Sequence, residues 1–196
     1  MNTVIFDLET TGFSHTWSEI IQIAAVRMVD GGILWNENFS SFVRPVRNIP
    51  PFISDITGIT DADVEVAPPF AEVITAFSTF VGTSTLLGHN ARRFDMPFIR
   101  ASCARHALSV RDVPFVDSLD FSRAIWGGRS GHGLDAIMSR LQMRDDTASR
   151  HTAPGDVALL GDVVLRMWTR LSADFHMCPV SCSVGCLPTF EQQLRL

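Results

Sequence analysis

The sequence predicts an α/β fold: a mixed central sheet carrying an antiparallel three-strand meander and flanked by helices. Two observations carry this expectation. The first part of the chain holds three strand-like apolar runs, two of them joined through Asp30-Gly31. Beyond Pro68, short strand-like runs alternate with longer segments whose apolar residues recur at helical spacing.

Residues 3–8 read as a buried strand. Residues 20–28 and 33–43 read as two more, joined by Val29-Asp30-Gly31-Gly32, and Asp-Gly between apolar runs signals a hairpin. Residues 45–51 are expected as loop. Residues 55–60 are expected as a short helix closed by Gly58. Pro68-Pro69 opens the next helix, where Phe70, Val73, Ile74, Phe77 and Phe80 make an apolar face. Residues 85–88 form a short strand, and residues 91–106 a helix that tolerates Pro97 only near its first turn. Phe115-Val116 is the last short strand. Residues 117–126 and 134–141 are helices around a Gly-rich loop, with Asp117 as a helix cap. The final long helix begins near Pro154, with Val157, Leu160, Val164, Met167, Trp168 and Leu171 on one face. The pattern then decays. Residues 1–172 are expected as one domain and residues 173–196 as a tail.

A chain of 196 residues can bury a full core, and 46% hydrophobic with 19% charged residues suits a globular protein. No apolar run is long enough to span a membrane. A strand beginning at Thr3 leaves no room for a signal peptide, so a cytoplasmic location is expected. The net charge of −5 argues against coating nucleic acid by bulk charge. It leaves room for an enzyme that holds only a strand end. All 16 basic residues are Arg.

Three distant segments carry the chemistry. The first is Val4-Ile5-Phe6-Asp7-Leu8-Glu9-Thr10-Thr11-Gly12. The second is Gly88-His89-Asn90-Ala91-Arg92-Arg93-Phe94-Asp95. The third is His151-Thr152-Ala153-Pro154-Gly155-Asp156. On a strand, Asp7 and Glu9 point to one face. Two carboxylates at the end of a buried run are costly unless cations neutralise them. Hard divalent cations take oxygen ligands, and a pair about 4 Å apart can drive phosphodiester hydrolysis.

Together these segments resemble the DnaQ-like, DEDDh family of 3′→5′ exonucleases, over most of the chain. Asp7 and Glu9 match the family's first motif, Asp95 the second, Asp156 the third, and His151 the histidine of the name. The resemblance implies the ribonuclease H-like fold and two divalent cations, Mg²⁺ or Mn²⁺, held by Asp7, Glu9, Asp95 and Asp156. Asp7 is implied as the ligand shared by both ions, and His151 as the base that deprotonates the attacking water. Thr10, Thr11 and Gly12 are implied as the turn that holds the terminal nucleotide. Asn90 and Phe94 match the second motif as substrate contacts. The implied partner is a nucleic-acid 3′ end, single-stranded DNA or RNA.

Several residues have two readings. Phe13 is expected in the core, whereas Trp17 is read either as core or as a base-stacking surface. Arg92, Arg93 and Arg129 are candidates for phosphate contact or for solvated faces. His89 is expected to fix the loop carrying Asn90. His176, Cys178, Cys182 and Cys186 are read either as a zinc site, from the equal spacing of the three Cys, or as free groups, since neither gap is C-x-x-C. The C-terminal Gln193-Leu194-Arg195-Leu196 is similar to the short peptides by which bacterial replication proteins dock on the sliding clamp, which implies a replication or repair partner. Two other functions compete with exonucleolytic trimming: a non-catalytic nucleic-acid-binding or scaffold module with the same fold, and an endonuclease of that fold. The intact acidic set argues against the first, and the Thr10-Thr11-Gly12 turn with His151 against the second.

Overall fold

The computed structural model describes residues 1–143 and 153–189. Six strands form one sheet in the order β3-β2-β1-β4-β5-β6. β1 (Asn2–Thr10), β2 (Ile20–Val29) and β3 (Gly32–Phe42) form the antiparallel meander. The hairpin between β2 and β3 turns at Asp30 and Gly31, both with positive φ, at 47° and 81°. Such a turn matches the twist of the flanking strands. β4 (Thr85–Gly88) runs parallel to β1, and β5 (Val110–Asp117) parallel to β4. The arrangement is the mixed, helix-flanked sheet expected from the sequence.

Helices cover both faces, and the two-residue period of β1 sorts its side chains between them. Val4, Phe6 and Leu8 join the core built with α3 (Phe70–Val81) and α4 (Asp95–Arg105). Ile5 joins the opposite core, built with α5 (Ser118–Trp126), α6 (Leu134–Arg140) and α7 (Ala153–Leu171). Asp7 and Glu9 continue the row of Ile5, so they emerge on the α7 side. There Val157, Leu160, Val164, Met167 and Trp168 form the buried stripe of α7. Gly161 permits close contact with the sheet, because a Cβ there would come 2.8 Å from Ile33 Cδ1.

Several boundaries differ from the sequence expectation. Helix α1 (Pro51–Thr57) starts four residues earlier, with Pro51 in its first turn and Gly58 closing it at φ 72°. A further turn of helix, α2 (Asp61–Val64), carries a capping box between Thr60 and Asp63. α4 starts at Asp95 rather than Ala91, because Asn90 has φ 57° and residues 91–94 form a turn. β5 is longer than the Phe115-Val116 pair. Residues 173–196 were expected as a tail, yet β6 (Ser183–Pro188) pairs antiparallel with β5 at the sheet edge. Gly185 and Pro188 disfavour a strand locally; cross-strand packing against a distant segment overrides that preference.

Candidate active site

β1 delivers the first two carboxylates. Asp7 lies opposite Ala24 and Glu9 opposite Gln22, and the register of the pair shifts between Glu9 and Thr10. Regular pairing therefore breaks just after the second acid, where the chain leaves the sheet. Asp156 lies in the first turn of α7. One carboxylate oxygen from each of Asp7, Glu9 and Asp156 falls within 4.8 Å of the others, and all three residues are partly exposed. Asp95, the first residue of α4, is 2% exposed, and its Oδ1 has no hydrogen-bond partner.

The electrostatics of this centre are unfavourable without cations. Burial raises the Asp7 carboxyl well above its usual value, and the charges of Asp95, Glu9 and Asp156 raise it further. Burial, then Asp156 and Asp95, push Glu9 up to about 8. Burial chiefly pushes Asp95 up to about 7, partly offset by its own backbone N–H and reinforced by Asp117. No basic side chain among the described residues forms an ion pair with Asp7, Glu9 or Asp95. Oxygen-only donors, mutual repulsion and an orphaned buried oxygen together fit a hard divalent cation.

The sign of the resulting pH dependence follows from linkage. Glu9 and Asp95 titrate near 8 and 7 when folded, against roughly 4 when unfolded. Between about pH 4 and pH 8 the folded state then holds more protons, so stability falls as pH rises through that window. Chelator-treated protein is expected to melt at a lower temperature at about pH 8.5 than at about pH 5.5. Mg²⁺ or Mn²⁺ should raise the melting temperature, and more so at the higher pH, where the carboxylates are free to ligate. Differential scanning calorimetry checks both. A melting temperature unmoved by either cation contradicts the assignment of the ligands.

The turn after Glu9 is rigid. Thr10 Oγ1 donates to Gly12 O at 2.7 Å. Thr11 N donates to Glu19 O at 2.8 Å, and Thr11 Oγ1 accepts from Glu19 N at 2.9 Å. Phe13, expected in the core, is 76% exposed, and Trp17 is 71% exposed. The reason is tertiary: Arg105 donates to His15 O and Ser18 O, and Arg47 to Trp17 O. The loop is thereby held from its backbone, leaving the aromatic rings outward.

Asp117 does more than cap a helix. Its carboxylate accepts from Leu119 N at 3.0 Å at the start of α5, from Asn90 N at 3.0 Å and from Arg92 N at 3.1 Å. It therefore fixes the loop that leads into Asp95. The sequence signalled only the cap, because the loop is 25 or more residues away. His89 Nδ1 lies 2.7 Å from Ser118 Oγ and secures the same junction, and burial lowers its pKa. Arg92 is engaged by Asp120, with Nη2 2.7 Å from Oδ2, and donates to Ser183 Oγ at 3.0 Å. Phe94 packs on Phe98 at 4.8 Å between ring centroids, partly buried against the core. Arg93 and Arg129 are exposed. His151 and the Gln193–Leu196 segment lie outside the described residues. Among the described residues the carboxylates of Asp7, Glu9 and Asp156 form the only metal-competent group, and the four cysteines are free thiols.

With this geometry in place, the chain can be set beside known proteins. The family model for exonucleases, RNase_T, matches residues 4–164. The chain belongs to this exonuclease family, within its DnaQ-like, 3′→5′ branch. It is 40% identical over 174 residues to the DNA polymerase III subunit epsilon-like protein of Rhodobacter capsulatus, covering 87% of this chain and 24% of that one. It is 33% identical over 178 residues to the DNA polymerase III PolC-type of Latilactobacillus sakei, covering 91% of this chain and 12% of that one. The chain thus spans about a quarter or less of the length of these curated relatives. Among solved structures, the nuclease domain of 3′hExo, a DEDDh family member bound to rAMP, superposes with TM-score 0.76 at 18% identity, covering 94% of this chain and 96% of that one. Exonuclease X in complex with 5′ overhanging duplex DNA gives 0.66 at 24% identity, covering 86% and 92%. These likenesses show the ribonuclease H-like fold. No described helix is long and apolar enough to cross a membrane.

Proposed function

We propose that the protein trims DNA from its 3′ end, one nucleotide at a time, by hydrolysis that depends on two divalent cations, Mg²⁺ or Mn²⁺, and releases nucleoside 5′-monophosphates. The carrying observation is the convergence of Asp7, Glu9 and Asp156 within 4.8 Å beside the Thr10-Thr11-Gly12 turn. Asp7, Glu9, Asp95 and Asp156 would hold the cations, which lower the pKa of a bound water and neutralise charge on the phosphodiester. DNA is favoured over RNA because the relatives named above carry polymerase III names.

His151 stands two positions before the start of α7 and five before Asp156. We assign it the general-base role: it takes the proton as the water oxygen bonds to phosphorus. The bond from phosphorus to the 3′ oxygen of the next nucleotide breaks, and that oxygen takes up a proton from solvent to become the new 3′-hydroxyl. The Thr11 N–H is already given to Glu19 O, and we assign recognition of the terminal hydroxyl to the Gly12 N–H. Phe13 and Trp17, exposed on a pinned loop beside that turn, supply stacking surface for bases. Asn90 and Phe94 lie just before Asp95 and would contact the same nucleotides. A cytoplasmic enzyme working beside a replication or repair assembly fits these assignments, with the Gln193–Leu196 segment as its tether.

The substrate's own end tests this reading. A 3′-phosphate in place of the hydroxyl is expected to slow removal by up to about 10²-fold, the scale of a polar contact left unmade in a closed site. Equal rates on blocked and free ends, measured by gel-resolved products, would contradict end recognition and favour endonuclease action.

A further inference from the structure

A cleft of about 440 Å³ lies between α4 and β6, apart from the carboxylate centre. Met96, Ala101, Phe115 and Val184 give it an apolar lining, and Arg100 and His15 line it as well. Its volume is in the range of small-molecule sites. One wall is β6, which lies outside the residues matched by the family model.

Arg100 has no ion-pair partner among the described residues, and it is exposed. Its neighbours on this side are spent: Arg92 on Asp120 and Ser183, Arg105 on the carbonyls of the 13–18 loop. An unpaired guanidinium beside an apolar surface matches one nucleotide unit, with phosphate for the fork and a base for the floor.

The cleft also adjoins the loop that leaves the catalytic strand, since His15 lines it. His15 belongs to the loop that follows Gly12, and its ring meets Phe98 of α4 edge-on at 6.3 Å. Asp95 begins the helix on which Arg100 sits five residues later, a rise of about 7.5 Å. Resting on the exonuclease reading above, we propose that the α4–β6 cleft is an upstream subsite for the substrate strand, holding a nucleotide upstream of the terminal one with its phosphate on Arg100.

Two substrates separate this inference from the reading it rests on. A nitrophenyl ester of thymidine 5′-monophosphate reaches only the terminal position, whereas a single-stranded ten-nucleotide DNA reaches the cleft. For Arg100→Ala, the oligonucleotide-to-ester ratio of kcat/KM is expected to fall about tenfold, the scale of one lost charge-assisted hydrogen bond. Arg100→Lys should restore part of it, and Ala104→Trp, which fills the cleft, should lower the ratio without removing a charge. Independently of turnover, fluorescence anisotropy of the labelled DNA in chelator should show the slope of log affinity against log salt reduced by roughly 0.7 in Arg100→Ala. An unchanged ratio together with an unchanged slope overturns the subsite. So does a loss seen only with duplex DNA, which would give the cleft to the complementary strand. Failure of the unaltered protein to cleave either substrate would count against the exonuclease reading, while the salt slope still decides the subsite.

Discussion

Replacing Asp7 by Ala is expected to lower cleavage by at least about 10³-fold, to the limit of most assays, in a protein that remains folded. Asp7 is the carboxylate on which the others converge: Asp95, Glu9 and Asp156 all act on it electrostatically. On the proposed function, removing it takes away the ligand shared between two cations, so no neighbouring group would substitute. The same change relieves repulsion in the cation-free protein. The chelated variant should therefore melt no lower than the unaltered chain, and a gain of about 1 kcal/mol would show as roughly 2–4 °C at this size. Asp7→Asn keeps the shape and removes the charge, and should behave likewise. Loss of activity with a large fall in melting temperature would assign Asp7 a structural role. Near-normal cleavage would remove it from the site.

The second large effect is expected at His151. Its substitution by Ala should lower kcat by roughly 10²–10⁴-fold, the range for loss of a general base, with DNA affinity retained. The general-base assignment gives the imidazole no place among the cation ligands, so the cation-induced rise in melting temperature should survive. In the unaltered enzyme, activity should fall towards acid pH as the imidazole takes up a proton. That limb should be altered in the variant. An unchanged pH–rate profile, or equal loss of binding and turnover, contradicts the general-base assignment.

The elements of the site differ in how readily the sequence exposes them. β1 and α7 are legible because their signals are local. An apolar run interrupted at Asp7 and Glu9 states both the strand and its anomaly, and the stripe from Val157 to Trp168 states which face of α7 is buried. Since period-two alternation places Asp7 and Glu9 in the row of Ile5, the face they share with α7 follows from the strand itself. Contacts that depend on distant segments are silent. Nothing near Asp117 says that it will bind the backbone of Asn90 and Arg92. Nothing near Arg92 says that Asp120 will take it from the phosphates. Phe13 looks like core on hydrophobicity alone, and the Arg105 and Arg47 bonds that hold its loop outward arise from other parts of the chain. β6 is hidden for the same reason. A six-residue segment with Gly185 and Pro188 has little strand signal until β5 offers it an edge.

The central claim is end-directed, cation-dependent hydrolysis at the Asp7–Glu9–Asp156 centre. Its most direct test is a single-stranded DNA labelled at its 5′ end, incubated with the protein and Mg²⁺ or Mn²⁺ and resolved by length over time. The account predicts a ladder that shortens by one nucleotide per step from the 3′ end, absent in chelator and absent with Asp7→Ala. Internal fragments without a ladder, or tight binding with no cleavage under either cation, would contradict it.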